Sequence, residues 1–235
     1  DYALPKHIDC QKGINISFDF LIEILSLDNL VQEYTNNEKK INDAYSGKPK
    51  NDGSIEIPSI KNLDQKVKEI ITSADHSVLS IIELVKIFYP EITNKNWHKK
   101  LSEKNKLQID DNCKELAFIN NFKNFIELIR EIRNKIEHPH IKEYFLSINN
   151  YKATPRGVIS PTILFKSDIN NIEENISKFS NSIVNNIFNI FQSLMAILCN
   201  INTQPLAGDQ ITVVEIPNKQ RKDNEKHVKF KYEIL

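Results

Sequence analysis

The sequence predicts a mainly α-helical chain with a small β-hairpin at its C-terminal end. Three observations predict it. Glycine is scarce, with 5 in 235 residues, and long stretches lack both glycine and proline; such a chain has few turns and favours helices over a turn-rich sandwich. Apolar residues recur at spacings of three and four over most of the length, which marks helices with one buried face. The last nine residues alternate instead: Val228, Phe230, Tyr232 and Ile234 against Lys229, Lys231 and Glu233. That is the period of a strand.

In chain order, residues 14–45 read as one or two helices, because Phe18, Leu21, Ile22, Leu25, Leu30, Val31 and Tyr34 share a face. Residues 47–58 hold two prolines and two glycines and read as a loop. A helical block follows from Asn62 to Tyr89, ended by Pro90; within it, Asp75 or Ser77 suits the cap of a helix carrying Val78, Ile81, Ile82, Val85 and Phe88. Residues 91–106 set Trp97 among Lys95, His98, Lys99, Lys100, Lys104 and Lys106. This pattern fits either an RNA-facing patch, with lysines for phosphate and the indole for a base, or a solvated helix whose tryptophan packs inward.

A long helix is expected from about Asp110 to His138, with Leu116, Ile119, Phe122, Phe125, Ile126, Ile129, Ile132 and Ile136 as its buried stripe. Pro139 ends it, since proline disfavours the helical region at the residue before it and brings no N–H donor. Residues 141–150 are expected to be a short helix and 154–166 irregular or weakly extended. Asp168 is expected to cap another long helix reaching about Asn200, through Ile172, Ile176, Phe179, Ile183, Ile187, Phe191, Leu194 and Leu198. Pro205 and Gly208 break the pattern, and Ile211–Ile216 pairs with the alternating tail across the polar segment 217–226. The organisation expected is one domain: an N-terminal helical extension (1–59), a helical core (60–202) and the hairpin tail (203–235).

Composition narrows the function classes. Hydrophobic residues make up 40%, enough for a sizeable core. The formal net charge is +0, so any nucleic-acid site must be local. Cys10, Cys113 and Cys199 lie far apart, with no Cys-x-x-Cys pair; reduced core thiols and an intracellular protein are expected. No apolar run is expected to span a membrane. Residues 18–31 are apolar-rich but are interrupted by Asp19, Glu23 and Asp28, unlike a signal segment. Phosphate-loop, dinucleotide-glycine and Gly-x-Ser-x-Gly patterns are missing, and no Cys, His and carboxylate spacing completes a metal site around His138 and His140. The basic cluster Lys219 to Lys231 is diluted by Asp223, Glu225 and Glu233 and reads as a solvated hairpin.

The richest chemistry lies at the end of the predicted helix over 110–138. The chain has only four arginines, Arg130, Arg133, Arg156 and Arg221, and two of them fall within nine residues of His138. Arg130, Asn134 and His138 are spaced i, i+4, i+8, and Arg133 and Glu137 form an adjoining i, i+4 pair. Arginine forks two parallel hydrogen bonds onto phosphate, and histidine exchanges protons near neutral pH. Together they point to phosphodiester chemistry. The plainer alternative is a helix end whose cations meet the macrodipole and whose Arg133 and Glu137 form an ordinary ion pair.

The string Ile132-Arg133-Asn134-Lys135-Ile136-Glu137-His138-Pro139 resembles the signature of HEPN ribonucleases: an arginine, a polar residue that is often asparagine, a short gap and a histidine. The resemblance covers roughly residues 108–200. It implies an antiparallel helical bundle over 60–202 and a metal-independent endoribonuclease without cofactor. In that reaction the ribose 2′-hydroxyl attacks the adjacent phosphorus, leaving 2′,3′-cyclic phosphate and 5′-hydroxyl ends. His138 would be general acid or base, Arg133 would stabilise the phosphate oxygens, and Asn134 would orient the phosphate or the imidazole. Arg130 and Glu137 would position them. Lys135, with Lys99, Lys100 and Trp97, would bind RNA. The resemblance also implies a homodimer with a composite cleft, a cytoplasmic toxin or anti-phage effector, and an antitoxin or sensor partner. Some members continue the signature as His-x-Tyr, with a modifiable tyrosine. Here that position is His140, a second proton-transfer candidate or a plain surface histidine, and Tyr144 is out of register. Two other classes stay open: a non-catalytic RNA- or nucleotide-binding module, and a helical interaction domain whose Arg133 merely pairs with Glu137.

Overall fold

A computed structural model of the chain describes residues 4–45, 56–93, 97–106, 114–155, 157–205, 209, 211–221 and 229–234. Among them are five α-helices: α1 (Cys10–Ala44), α2 (Leu63–Phe88), α3 (Trp97–Lys106), α4 (Lys114–Glu137) and α5 (Ile176–Asn202). Seven short strands accompany them: β1 (Phe145–Asn149), β2 (Lys152–Thr154), β3 (Gly157–Ile159), β4 (Thr162–Lys166), β5 (Asn171–Asn175), β6 (Ile211–Glu215) and β7 (Phe230–Ile234). The protein is mainly helical with small antiparallel sheets, as its scarcity of glycine and its three-and-four periodicity predict.

Residues 14–45 form a single helix. Asp9 starts it, its carboxylate accepting the Lys12 N–H at 2.9 Å. Phe20, Ile24, Leu27, Val31 and Tyr34 are its buried stripe, while Ile14, Phe18, Leu21, Ile22 and Leu25 stay exposed along it. Helix α2 runs unbroken, so neither Asp75 nor Ser77 is a cap: both are buried in its middle. In α4, Ile119, Phe122, Ile126, Ile129 and Ile132 are buried as expected, and Phe125 and Ile136 are partly covered. The side chain of Leu116 lies outside the described residues, as does most of the expected loop over 47–58.

Between α4 and α5 two expectations are corrected, the short helix over 141–150 and the Asp168 cap, while the extended reading of 154–166 holds in part. Residues 145–149 are a strand rather than part of a short helix. Residues 162–166 are the middle strand of a three-stranded antiparallel sheet ordered β1-β4-β5, with Phe145 opposite Lys166 and Thr162 opposite Asn175. Asp168 caps no helix: it sits in the turn from β4 to β5, which the Ser167 N–H closes on the Asn170 carbonyl at 2.8 Å. Pairing with β4 claims residues 171–175, including Ile172, so α5 starts only at Ile176. Asn175 caps it, accepting the Lys178 N–H at 3.0 Å. The common reason is strand pairing, across a tight turn for β4 with β5 and over a longer separation for β1 with β4, which helical periodicity does not carry. The expected C-terminal hairpin is present, with Ile211 opposite Ile234 and Glu215 opposite Phe230.

Helix α5 also corrects the membrane expectation. It is long and apolar enough to cross a bilayer by length and composition, with mean hydropathy 1.4. A core helix passes the same test, and Phe179, Ile183, Ile187, Leu194 and Leu198 of α5 are buried in the protein.

The chain divides into two compact units. The first comprises Asp1–Leu21, Val78–Asn124 and Ile187–Leu235. Its interior includes Phe20 stacked on Phe191 at 4.2 Å and Trp97 against Phe122 at 4.7 Å. The Asn200 side chain clasps the backbone of β6, accepting from Val213 N at 2.6 Å and donating to its carbonyl at 2.9 Å.

The second unit comprises Ile22–Ser77 and Phe125–Asn186 and holds the three-stranded sheet and the β2–β3 hairpin. Here Glu38, almost fully buried on α1, accepts from the Asn175 amide at 2.7 Å and from the Ser177 hydroxyl. Tyr151 donates to Asn42 at 2.8 Å beside it. Burial, and then the Glu38 charge, push the Tyr151 hydroxyl up to about 12; Tyr34 is raised by the same two causes. A phenol that holds its proton more tightly when folded stabilises the fold below its ordinary pKa of about 10 and loses that contribution as pH rises toward 12. Urea melts should therefore weaken between pH 10 and pH 12, and Tyr151→Phe should flatten that decline.

Candidate functional site

The site lies in the second unit, where α4 ends. Pro139 forbids another helical turn, so His138 is the first residue past the helix, its N–H still donating to the Asn134 carbonyl at 2.8 Å. The next turn is pinned twice. Ile141 N–H donates to the His138 carbonyl at 3.1 Å. Lys135 Nζ donates to the Pro139 carbonyl at 2.7 Å and also to that of Ile141. Lysine at a helix C-terminus here satisfies carbonyls the helix leaves open. Two of the three ammonium N–H groups of Lys135 are thus engaged by its own backbone.

Arg133 is held from two sides. Its Nη1 donates to Asp75 Oδ2 at 2.8 Å, its Nε donates to Glu137 Oε1 at 3.3 Å, and its Nη2 lies 3.2 Å from the same Glu137 oxygen. Arg130 Nε stands 3.5 Å from the other Asp75 oxygen, an ion-pair distance without hydrogen-bond geometry, and Asp75 Oδ1 accepts no hydrogen bond among the described residues. Asp75 is 1% exposed, whereas the two arginine side chains keep about a third of their surface in water (31% and 33%). A guanidinium has five N–H donors, so Arg133 retains one on each terminal nitrogen. The charges of Arg130, Arg133, Asp75 and Glu137 cancel.

Asn134, His138 and His140 are exposed, and the two imidazoles meet edge to face at 5.9 Å. The Asn134 amide makes no hydrogen bond among the described residues. Those residues contain no group of three or more metal-ligating side chains. The expected ion pair of Arg133 with Glu137 is present, and the motif's arginine, asparagine and histidine all lie at one helix end.

The remaining expected RNA contacts are Trp97, Lys99 and Lys100. Trp97 is 2% exposed and packed on Phe122, so its indole offers no face to a base. Lys100 pairs with Glu103 at 3.2 Å, while Lys99 is exposed. All three belong to the first unit. Sequence reasoning missed Asp75 as a partner of Arg133. The signal was present: a lone carboxylate within the apolar stripe of Ile71, Ala74, Val78 and Ile82 is expensive to bury unless it is paired.

Comparison of the chain with protein-family models, with curated proteins and with solved structures finds no match.

Proposed function

We propose that this chain is a metal-independent endoribonuclease of the HEPN type, acting as a homodimer in which two copies of the Arg133–His138 signature face one RNA strand. One observation carries the reading: the arginine is braced by a buried carboxylate while the neighbouring imidazole and amide are exposed, neither side chain hydrogen-bonded among the described residues. A helix end built only for packing has no need of that division. In the reaction, one His138 takes the proton of the ribose 2′-hydroxyl as its oxygen bonds to phosphorus. The bond to the 5′-oxygen breaks, and the partner copy's imidazole gives that oxygen a proton. Arg133 turns its two remaining N–H groups to the non-bridging oxygens. A toxin or anti-phage effector fits this chemistry.

A second reading, a non-catalytic RNA-binding or interaction module, is favoured by the charge balance at the site: Arg133 is already neutralised by two carboxylates. Incubating the purified chain with RNA and a chelator separates the two. Products with 2′,3′-cyclic phosphate and 5′-hydroxyl ends support the nuclease; intact RNA refutes it.

Dimerisation has its own support on α1. Its exposed Ile14, Phe18 and Leu21, all in the first unit, recur on one helix face. Ile14→Glu with Phe18→Glu should convert a dimer on size exclusion to a monomer with an unchanged helical spectrum. A wild-type chain that is monomeric at micromolar concentration would remove the composite cleft.

A further inference from the structure

The second unit has a cleft of about 570 Å³ on the flank of the same helix end. Its volume falls within the range of about 300–1,000 Å³ typical of small-ligand sites. Ile136 and Pro139 form one wall, the start of α2 with Asp64, Gln65 and Lys68 another, and Phe145 of β1 a third. Pro139 of the lining directly follows the proposed proton-transfer residue His138 in the chain.

The lining differs from that of a plain surface groove. Phe145 is 53% exposed on an outer strand, and its ring meets no other aromatic among the described residues. Lys68 is exposed and makes no hydrogen bond or ion pair among the described residues, whereas Lys135, also in the lining, donates to two backbone carbonyls. The Gln65 amide nitrogen donates to Glu69 at 2.8 Å, which leaves the Gln65 carbonyl oxygen free to accept. The Asp64 carboxylate has no partner among the described residues. The cleft thus offers a bare ring, one free cation and two acceptors.

Resting on the nuclease reading, we propose that this cleft is a base subsite for the nucleotide next to the cut, stacking one unpaired base on Phe145. Stacking tolerates any base, because every base has a π-face. Discrimination comes from the acceptors: Asp64 repels phosphate and, with Gln65, favours a base edge rich in N–H donors, guanine above all. Lys68 takes the phosphate of that nucleotide.

The test uses the full chain carrying His138→Ala, so that RNA binds without being cut, and labelled single-stranded octamers read by anisotropy. An octamer with one central guanosine in oligouridine should bind more tightly than oligouridine. Phe145→Ala should weaken both by about tenfold, Phe145→Trp should retain binding, and Asp64→Asn should erase the guanosine preference. Lys68→Ala should lower the salt dependence by about one phosphate contact. Because Phe145 is more than half exposed, its alanine variant should melt with the parent. Equal affinities with and without the ring, or no RNA binding at all, overturn the subsite. Ring-dependent binding, with the His138-intact chain never cutting RNA, keeps the subsite and rejects the nuclease. Cutting with an unaltered pattern when Phe145→Ala is placed in the His138-intact chain does the reverse.

Discussion

His138→Ala is expected to slow RNA cutting by about 10²–10⁴-fold, the usual contribution of a positioned acid or base, and to leave the melting temperature unchanged. The side chain is exposed and, among the described residues, meets the edge of His140 alone, so its loss opens no cavity and strands no buried partner. A loss of cutting without a loss of stability therefore reports chemistry. In a dimer with one composite cleft, mixing wild-type and His138→Ala subunits should give heterodimers well below half activity, since one copy supplies the base and the other the acid. Arg133→Lys should be nearly as damaging as alanine, because an ammonium cannot keep two N–H groups on phosphate while answering Asp75 and Glu137. His140→Ala tests the neighbour: a small change makes it a surface residue, a loss equal to that of His138→Ala makes it a second proton carrier. Activity that survives His138→Ala, or that appears only with divalent metal, rejects the mechanism.

What the sequence revealed of the fold follows a physical division. Helices α2, α4 and α5 were visible because each buries one stripe, and a stripe is a local pattern; α1 was visible by its apolar spacing, but Phe18, Leu21, Ile22 and Leu25, which carried that reading, lie on its exposed face, and the buried stripe runs through Phe20, Ile24 and Leu27 instead. The alternating tail was visible as a local pattern too. The sheet over 145–175 was not. Its middle strand, with Ile163 and Phe165 fully buried, gives only a short apolar run, and its outer strands are half covered. Their identity comes from pairing with the middle strand, and Leu146–Ile148 fits a helix equally well in isolation. At the site, the divide runs between spacing and environment. Arg133, Asn134 and His138 could be picked out by their offsets along one helix. That Lys135 caps its own helix, that Trp97 faces inward and that Asp75 meets Arg133 across 58 positions all depend on the packing of other elements. Asp75 was the most readable of these, because a carboxylate on an apolar stripe calls for a cation in a way that a tryptophan among lysines does not.

Asp75→Ala provides the strongest test of how the site is held. Removing one member of a fully buried ion pair costs about 3–5 kcal/mol, because the partner is left uncompensated. Here the guanidinium partners keep about a third of their surface in water, so they rehydrate and the cost should fall to about 2 kcal/mol. For a chain of this size that is a drop in melting temperature of about 4–8 °C. Asp75→Asn separates shape from charge: it keeps the volume and one acceptor but no longer offsets Arg130 and Arg133. The two variants should share a functional signature that a purely structural aspartate would not produce. The helix end gains one net positive charge, so RNA should bind more tightly at low salt, by an amount that fades as salt rises. At the same time Arg133 loses its anchor on α2 and keeps only Glu137, on its own helix, so turnover should fall through loss of orientation. Opposite movements of affinity and turnover in Asp75→Asn would identify the carboxylate as the brace of Arg133. Parallel losses that follow the melting temperature would reduce it to a packing element, and unchanged stability in Asp75→Ala would mean that the buried pair does not hold the helix end together.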